Sequence, residues 1–477
     1  MPDSRDLFGR TIIYTDVDEI TAENIVDVLS DAVDTHETNL EEIDYLFNYY
    51  KGNQEIKNRV KNFNDTVNNK IVVNRCKQIT DFNIGYLLSS SIQYVDATAN
   101  DRDEEVENND LNQLNTWMRL SNKDRHDITL ARWQSIGGTA HRMALPKGEG
   151  ERLDEKDPPF NVYDLDPRYT FVVYSSRLGH KPMLGVTYVT LEDETVLYYC
   201  YTDSLYFCVD DEDNILEQES HILGRVPIIE YPLNDARLGD FEPIIPLQDA
   251  INAEESDRQD SEDQLVDAIL CVSGMQIEDD TNFMAQLKEQ RGLLLPENAK
   301  AWYLTLEHNQ EQAQTLIDGY YNELLTICGM PNRNGGLSTS DTGAATVLRD
   351  GWSDTETRAR QKEDMFKESE REFLGLVLMI CNSMGGTALH LSDIDIVFPR
   401  RAYSNDSSNV TNLITMLSND WIPPEWALEH SNLTPDPHRD WLKFKKWHDA
   451  QEDADVDELA DINKTADEHK HTEEEAE

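Results

Sequence analysis

Apolar residues recur at helical spacing through most of the chain, but one central stretch departs from this pattern. Near the N-terminus, Ile25, Val28 and Leu29 are followed by further apolar positions three and four residues apart, which predicts a helix over 22–50. Residues 160–231 are instead rich in Val, Tyr, Phe and Thr and are divided by polar turns. Such segments are typical of antiparallel strands. The pattern therefore predicts an α+β fold that is mainly helical.

The rest of the chain continues this mixture. One long helix is predicted over 245–272, where breakers are few, and another over 344–384, where roughly forty residues would span about 60 Å. On the second of these, Glu356–Arg360 and Glu363–Lys367 are favourable i,i+4 pairs. Further helices are predicted at 74–88, 111–121, 123–136, 282–290, 311–328, 408–418, 424–430 and 437–449. Short extended segments are predicted at 71–73, 92–95, 292–295, 302–306 and 393–399.

Charge changes this picture more than length does. The 477 residues suffice for two or three structural units, and 42 Lys+Arg against 93 Asp+Glu give a net charge of −51. Such acidity argues against a protein that holds phosphates on a broad basic surface. It is compatible with a protein that encloses DNA and lets it slide, although composition alone favours acidity that serves solubility.

Cysteine usage and hydropathy indicate a cytosolic setting. The six cysteines are scattered, without a CxxC pair, and Cys200 and Cys208 have no histidines near them that would complete a zinc site. The first ten residues have no apolar core, and no run of about eighteen apolar residues occurs. We therefore expect reduced thiols, no signal peptide and no membrane partner.

The helix predicted over 245–272 carries most of the informative charge. Like charges at i,i+4 spacing, such as Asp263 and Asp267, disfavour an isolated helix by a few tenths of a kcal/mol each. The helix is either a solvated outer face or the lining of a pore that presents no phosphate-binding groups. Its acidic residues are Asp249, Glu254, Glu255, Asp257, Asp260, Glu262, Asp263 and Asp267, against the single cation Arg258.

Two other segments were considered for chemistry. The polar, glycine-rich loop 332–343 has no Walker sequence, and is either a flexible turn or a mobile loop that reaches into a channel with Arg333 as its cation. Asp393 and Asp395 could form part of a nucleotidyltransferase metal site, but such sites also need a third carboxylate and usually a Gly-Ser turn, and strand alternation alone explains the stretch. No catalytic set, metal site or cofactor motif stands out.

Three phrases, in order, resemble the portal proteins of tailed, in particular long-tailed, bacteriophages. They are YYKGNQEI followed by NNKIVVNRCKQITDFNIGYLLSSSIQY, then HILGRVPIIEYPLNDARLGDFEPIIPLQDAIN, and then GLSTSDTGAATVLRDGWSDTETRARQKEDMFKESEREFL. IDIVFPRRAYSND and NLTPDPHRDWLKFKKW also resemble segments of that family. The resemblance covers about residues 40–448, and the order of the phrases carries it rather than any single motif.

The resemblance implies a subunit with an α/β wing, long stem helices, a small clip insert and a helical crown, which assembles into a ring, usually of twelve copies. The implied boundaries are 1–244 for the wing, 245–274 and 309–329 for the stem helices, 275–308 for the clip, 331–343 for the tunnel loop, 344–384 for the long helix to the crown, 385–404 for the return strand, 405–450 for the crown and 451–477 for a disordered acidic tail.

The same resemblance implies a structural protein without enzymatic activity or cofactors, located at the capsid portal vertex of the virion and assembled in the host cytoplasm. Its implied partners are copies of itself, the major capsid protein and scaffold, the terminase motor, a head-completion adaptor and the double-stranded DNA that passes through. The alternatives are a metal-dependent nucleotidyltransferase or nuclease that uses Asp393 and Asp395, and an acidic scaffold or DNA-mimic protein.

Site residues follow from this implied map. The tunnel-loop residues that would face DNA are Asn332, Arg333, Asn334, Ser338, Thr339 and Ser340. The acidic residues that would line the channel are Glu254, Glu255, Asp257, Asp260, Glu262 and Asp263. The residues that would form the clip interface are Phe283, Leu287, Arg291, Trp302 and Tyr303.

Overall fold

The structure, a computed structural model, divides into two compact units. The first comprises Met1–Tyr45, Thr80–Asp240 and Arg333–Glu477, and the second comprises Leu46–Ile79 and Phe241–Asn332. The residues that the structure describes are 9–61, 67–97, 109–266, 269–274, 299–304, 310–332, 351–399 and 406–448, apart from 149, 152–153, 155, 385, 420, 432, 435–436 and 438–439.

The described elements follow the predicted mixture of helices and strands. The helices are α1 (Ile25–Lys51), α2 (Arg75–Leu87), α3 (Asn109–Leu120), α4 (Lys123–Gly137), α5 (Ile245–Val266), α6 (Gln310–Ile327), α7 (Trp352–Ser383), α8 (Asp406–Leu417) and α9 (Pro424–Glu429). The strands are β1 (Ile13–Thr15), β2 (Gln93–Asp96), β3 (Thr139–Pro146), β4 (Phe160–Leu165), β5 (Thr170–Ser175), β6 (Pro182–Thr190), β7 (Val196–Tyr201), β8 (Leu205–Asp210), β9 (Ile215–Ser220), β10 (Ile228–Pro232), β11 (Ile269–Ser273), β12 (Lys300–Leu304) and β13 (Ile394–Val397).

The predicted β-region of the first unit is confirmed, but it is divided between two sheets. A six-stranded sheet has the order β1-β5-β6-β7-β8-β9, with antiparallel pairing from β5 to β9 and a parallel pair between β1 and β5. A three-stranded sheet has the order β10-β3-β4. The turn at 210–214 is the predicted hairpin, since the Asp210 carboxylate accepts the backbone N–H groups of Glu212 and Asn214.

Strand β3 was not predicted, and its burial explains why. Six consecutive residues from Thr139 to Ala144 are buried, including His141 and Arg142, so the strand lacks the alternation of polar and apolar residues that identifies a half-exposed strand. It lies at the centre of the three-stranded sheet, between β10 and β4. Because His141 and Arg142 are polar residue types but are buried, hydrophobic periodicity does not identify this strand.

The apolar clusters of the first unit include two large ones. The N-terminal turns of α1 bury Ile25, Val28 and Leu29 against core residues of the six-stranded sheet, including Phe171 and Phe207. Each such side chain contributes about 1.5–3 kcal/mol when fully buried. The larger core forms around α7. Its α7 members are Phe366, Phe373, Leu374, Leu376, Val377, Leu378, Ile380 and Cys381.

Helix α7 is the long predicted helix, but its described part begins later than predicted. It starts at Trp352, after Gly351 in the left-handed conformation (φ 81°), and residues 344–350 lie outside the described residues. Its 32 residues span about 48 Å. The predicted i,i+4 pairs are confirmed, with Glu356–Arg360 at 3.1 Å and Glu363–Lys367 at 2.7 Å.

A buried ionic cluster, formed by Lys123, Asp127, Arg142 and Glu370, joins α7 to α4 and β3. The Lys123 ammonium lies 2.9 Å from Glu370 and also pairs with Asp127. Arg142 contacts Asp127 at 2.8 Å and Glu370 at 3.4 Å, and the Arg142 and Glu370 side chains are fully buried. Burial alone would raise the pKa of Glu370, but Lys123 and Arg142 outweigh it and hold this pKa below its usual range. Glu370 therefore remains ionised inside the core.

A second buried polar group of the first unit surrounds Glu230. Its carboxylate accepts two hydrogen bonds from the Arg237 guanidinium, at 2.7 and 2.9 Å, and one from the Tyr174 hydroxyl at 2.7 Å. His36 and His141 line the same cavity of about 30 Å³, which has room for about one water molecule. Burial opposes ionisation of Glu230, but Arg237 outweighs it and lowers the pKa to about 2.

We expect acid to destabilise the first unit through these histidines. Burial lowers the pKa values of His36 and His141 to about 4, whereas in the unfolded chain both take up protons near the ordinary histidine pKa of 6.5. Because the unfolded state binds more protons, stability is complete above about pH 6.5 and is lost as the pH falls towards about 4, by about 1 kcal/mol per histidine at about pH 6. Glu230 adds a loss below its unfolded pKa of about 4.5.

Urea unfolding at about pH 7 and about pH 6 measures this dependence. The double variant His36→Gln/His141→Gln has amides that do not titrate, so its unfolding midpoint should change less with pH than that of the wild type. Equal pH dependence in the two proteins would contradict the assignment to these histidines.

In the second unit, the structure corrects the helix predicted over 245–272. Helix α5 ends at Val266, and Ile269–Ser273 forms strand β11, which pairs antiparallel with β12. The sequence ILCVS is rich in β-branched and aliphatic residues that suit a strand. Its partner strand β12 lies about thirty residues later in the chain, so the local sequence does not indicate the pairing. The extended segment predicted at 302–306 is confirmed in part, as β12, while the predicted elements within 275–298 lie outside the described residues.

The C-terminal elements of the first unit agree with the predicted pattern. Strand β13 pairs antiparallel with β2, and Ile394, Ile396 and Phe398 are buried, as alternation predicts. Helices α8 and α9 lie where short helices were predicted, and residues 440–448 are helical as well. Residues from 449 onward, which include the predicted acidic tail, lie outside the described residues.

Candidate functional site

An extended segment of the second unit, residues 67–74, runs along the acidic helix α5 up to Arg75, the first residue of α2, and is here called the strap. Four side chains of α5, spaced four residues apart, accept the backbone N–H groups of alternate residues from Asn69 to Arg75. Four helical residues rise about 6 Å and two extended residues span nearly the same distance, so the two spacings stay in register. The acceptors and distances are Gln248 for Arg75 at 3.1 Å, Asn252 for Val73 at 2.9 Å, Ser256 for Ile71 at 3.0 Å and Asp260 for Asn69 at 2.7 Å.

These four side chains form a buried polar stripe on one face of α5. Gln248, Asn252 and Ser256 have no exposed surface, and Asp260 is 2% exposed. Gln248 also donates to the Val73 carbonyl at 2.7 Å, and Asn252 donates to the Gln54 side chain at 2.6 Å. The stripe therefore replaces a partner strand for the strap. Its signal was present in the sequence, as polar residues at 248, 252, 256 and 260 where an amphipathic helix would carry apolar ones.

The stripe corrects the prediction that Asp260 lines a channel. Asp260 is buried and pairs with Lys61 and, at 3.5 Å, with Arg59, while it accepts the Asn69 backbone and side-chain N–H groups. Burial would raise its pKa, but Lys61 and Asn69 outweigh this and lower it. The carboxylate is used within the subunit, where it fixes the strap.

Other carboxylates of α5 also have partners within the second unit. Asp257 pairs with Arg59, Glu255 pairs with Arg258 at 3.2 Å, and Asp263 accepts the Asn69 amide at 2.7 Å. Burial raises the pKa of Asp249 to about 6, although the Tyr49 hydroxyl donates to it. The acidity of the helix is therefore balanced in part by cations that precede the strap in sequence.

Glu254 and Glu262 do not contact the strap or the cations Arg59 and Lys61. Glu262 is exposed and accepts a hydrogen bond from Gln310 at 2.8 Å. Glu254 is half-buried, and among the described residues no side chain pairs with it. Of the predicted channel-lining set, Glu254, Glu255 and Glu262 are not tied to the strap side of α5, and Glu255 pairs with Arg258.

Of the predicted tunnel-loop residues, Asn332 alone lies in the described part of the chain, where its amide contacts Asn322 at 3.1 Å. Of the predicted clip residues, Trp302 is 48% exposed on β12, and Tyr303 is its neighbour on that strand. The other predicted loop and clip residues lie outside the described residues: Arg333, Asn334, Ser338, Thr339, Ser340, Phe283, Leu287 and Arg291.

Asp393 and Asp395 have local structural contacts. Asp393 accepts the backbone N–H of His390 at 2.9 Å, and Asp395 accepts that of Ile396 at 2.9 Å. Within the described ranges, no three His, Cys, Asp or Glu side chains form a group that could hold a metal ion. The nucleotidyltransferase alternative gains no support from this geometry.

Comparison with known proteins identifies the family of the chain. A search of curated proteins found no match to the chain. The helices described above include none that is long and apolar enough to cross a membrane. A family model described as "Phage portal protein, SPP1 Gp6-like" matches residues 30–468, which is nearly the whole chain. The chain therefore belongs to the SPP1 Gp6-like phage portal protein family, and it is a structural portal protein that serves DNA packaging at a capsid vertex.

Proposed function

We propose that the second unit forms the DNA conduit of a closed ring, in which α5 and α6 are the stem helices and the segment between them is the clip. The observation that carries this proposal is the helix–insert–helix order, with an insert that β11 and β12 open and close as paired strands. Twelve copies are typical of the family. The first unit then supplies the wing, and α8, α9 and residues 440–448 supply the crown.

The DNA path is proposed to meet Glu254 and the loop that begins at Asn332. The strap covers one face of α5, and Gln310 and Gln314 of α6 contact Arg258 and Glu262 on another. On the helical wheel, Glu254 lies about 180° from the centre of the buried stripe and about 60° from the centre of the α6 contacts. A carboxylate there repels phosphates and leaves the duplex without a strong contact along the stem.

The partners follow from the same assignment. Trp302 on the exposed side of β12 is proposed to contact the terminase motor during filling and the head-completion adaptor afterwards. The wing is proposed to contact the major capsid protein and scaffold during assembly in the host cytoplasm. The subunit itself is proposed to have no catalytic activity, so ATP hydrolysis belongs to the motor.

Electron microscopy of the purified full-length protein tests the ring directly. We expect closed rings with a central hole in negative stain, and a matching mass by mass photometry. A protein that stays monomeric at micromolar concentration under all salt conditions would overturn the proposal.

Reversing the charge of Glu254 tests the repulsive stem. In Glu254→Lys rings, each subunit presents an ammonium to the duplex, so we expect tighter DNA binding with a steeper salt dependence and slower packaging into proheads. Gln259→Lys is the control, because Gln259 is exposed on the strap side of α5. Equal packaging rates for wild type and Glu254→Lys would place Glu254 away from the DNA path.

A further inference from the structure

The two sequence segments of the second unit carry opposite charge. Leu46–Ile79 contains seven Lys+Arg and two Asp+Glu, whereas Phe241–Asn332 contains four Lys+Arg and eighteen Asp+Glu. In a chain with a net charge of −51, the first of these segments is an exception. Part of this positive charge is neutralised within the unit, since Arg59 and Lys61 pair with Asp257 and Asp260.

Four lysines of this segment are exposed, and two of them are adjacent. Lys57 and Lys70 are both exposed, and the Lys70 ammonium donates to the Lys57 backbone carbonyl at 2.8 Å, so the two residues are adjacent. Within the described ranges, neither ammonium has a carboxylate partner. The surface formed by Lys57 and Lys70 is here called the lysine face.

The acidic counterpart lies on α6. This helix contains three acidic residues and no Lys or Arg along Gln310–Ile327. Glu311 and Asp318 are exposed, and Asp318 accepts a hydrogen bond from Gln314 at 2.8 Å. The buried side of α6 is formed instead by Ala313, Ile317 and Leu324. The surface formed by Glu311 and Asp318 is here called the acidic face.

The C-terminal half of α5 separates these two faces. Asp257 and Asp260 contact the cations near the lysine face, whereas Arg258 and Glu262 contact Gln310 of α6. At about 100° per residue, positions 260 and 262 point roughly 160° apart, so Lys61 and Gln310 lie on nearly opposite sides of α5 at this end of the helix. At the other end of α5, Arg75 packs over the Tyr321 ring of α6 at 4.1 Å. The second unit therefore has a basic side and an acidic side.

We propose that the lysine face binds the acidic face of a second copy of this chain, and that this contact joins neighbouring subunits head to tail. The inference rests on the proposed ring. A contact between two different faces of the same subunit is heterologous, and repeating it by a constant rotation closes a ring. Opposite charges on opposite sides of one unit suit this geometry, whereas a duplex would neutralise the lysine face and leave the acidic face unexplained.

Charge reversal with a complementary rescue tests the contact. Rings are measured by mass photometry and negative stain over a series of salt concentrations. We expect Lys57→Glu/Lys70→Glu to raise the protein concentration needed for half-assembly roughly tenfold at low salt. Glu311→Lys/Asp318→Lys should have a similar effect, and the protein that carries all four substitutions should regain rings. Unchanged far-UV circular dichroism shows that the subunits remain folded.

The control carries the same change in net charge on the other unit. Lys443→Glu/Lys446→Glu alters two exposed lysines of residues 440–448 and should leave assembly unchanged. The inference is overturned if the Lys57/Lys70 variant assembles like the wild type, if the control loses rings equally, or if rings persist but duplex DNA binding is lost. Absence of rings in the wild type would instead overturn the proposed function.

Discussion

Replacing Arg142 with methionine is expected to lower the free energy of unfolding of the first unit by about 3–5 kcal/mol. The guanidinium is fully buried and contacts both Asp127 and Glu370. Its removal leaves two buried carboxylates with the single ammonium of Lys123, and an uncompensated charge in the interior is much more costly than a missing contact at the surface. The effect should centre on α7, which carries Glu370.

Hydrogen exchange of the α7 amides, together with urea unfolding, measures this change. Arg177→Met is the matched control, because Arg177 is 68% exposed in its pair with Asp18 and such pairs contribute little. Arg142→Lys keeps the charge but loses the planar fork, so an intermediate loss is expected. A loss below about 1 kcal/mol for Arg142→Met would show that the cluster does not need this cation.

Replacing Asn252 with leucine is expected to destabilise the strap by about 2–4 kcal/mol. The Asn252 side chain has no exposed surface, accepts the Val73 N–H at 2.9 Å and donates to Gln54 at 2.6 Å. Leucine is of similar size, but it leaves these buried groups without partners, and that desolvation is the dominant loss.

The readout is local. Exchange of the Val73 and Ile71 amides should accelerate about 30-fold or more, while the amides of β5 and β6 in the first unit keep their protection. Gln259→Leu is the control, since its exposed amide bonds to Asp263 alone among the described residues. Unchanged exchange in the Asn252→Leu strap would mean that the ladder of side chains does not hold it.

The sequence predicts elements whose signal is local, and it fails where the signal depends on a distant partner. Helices α1, α6 and α7 have periodic apolar faces, so their existence and approximate bounds could be read from the chain. Strands β11 and β12 are stabilised by pairing with each other across a long insert. The sequence of β11 alone does not indicate this pairing, so the helix predicted over 245–272 wrongly included it. The buried strand β3 shows no alternation, because all six residues from Thr139 to Ala144 are buried and Arg142 is paired inside the core.

The candidate site shows the same division. The acidity of α5 was evident, but which carboxylates are available to DNA depends on a segment nearly two hundred residues earlier in the chain. Asp260 illustrates this, because a helical wheel cannot report that Lys61 and Asn69 surround it. The order of elements predicted the family, which the match over residues 30–468 confirms, whereas the roles of individual side chains required their neighbours.

The strap also constrains how the chain folds during synthesis. Asn69 and Asp260 are separated by 191 residues, and the first unit supplies most of the sequence between them. At ribosomal rates of about 5–20 residues per second, the strap waits on the order of 10–40 s before its acceptors on α5 emerge. Throughout that interval, its backbone donors and Ile71, Val72 and Val73 are available to other nascent copies. We therefore expect premature association at this segment to compete with folding of the subunit, and slower synthesis of the intervening unit to lengthen the exposure.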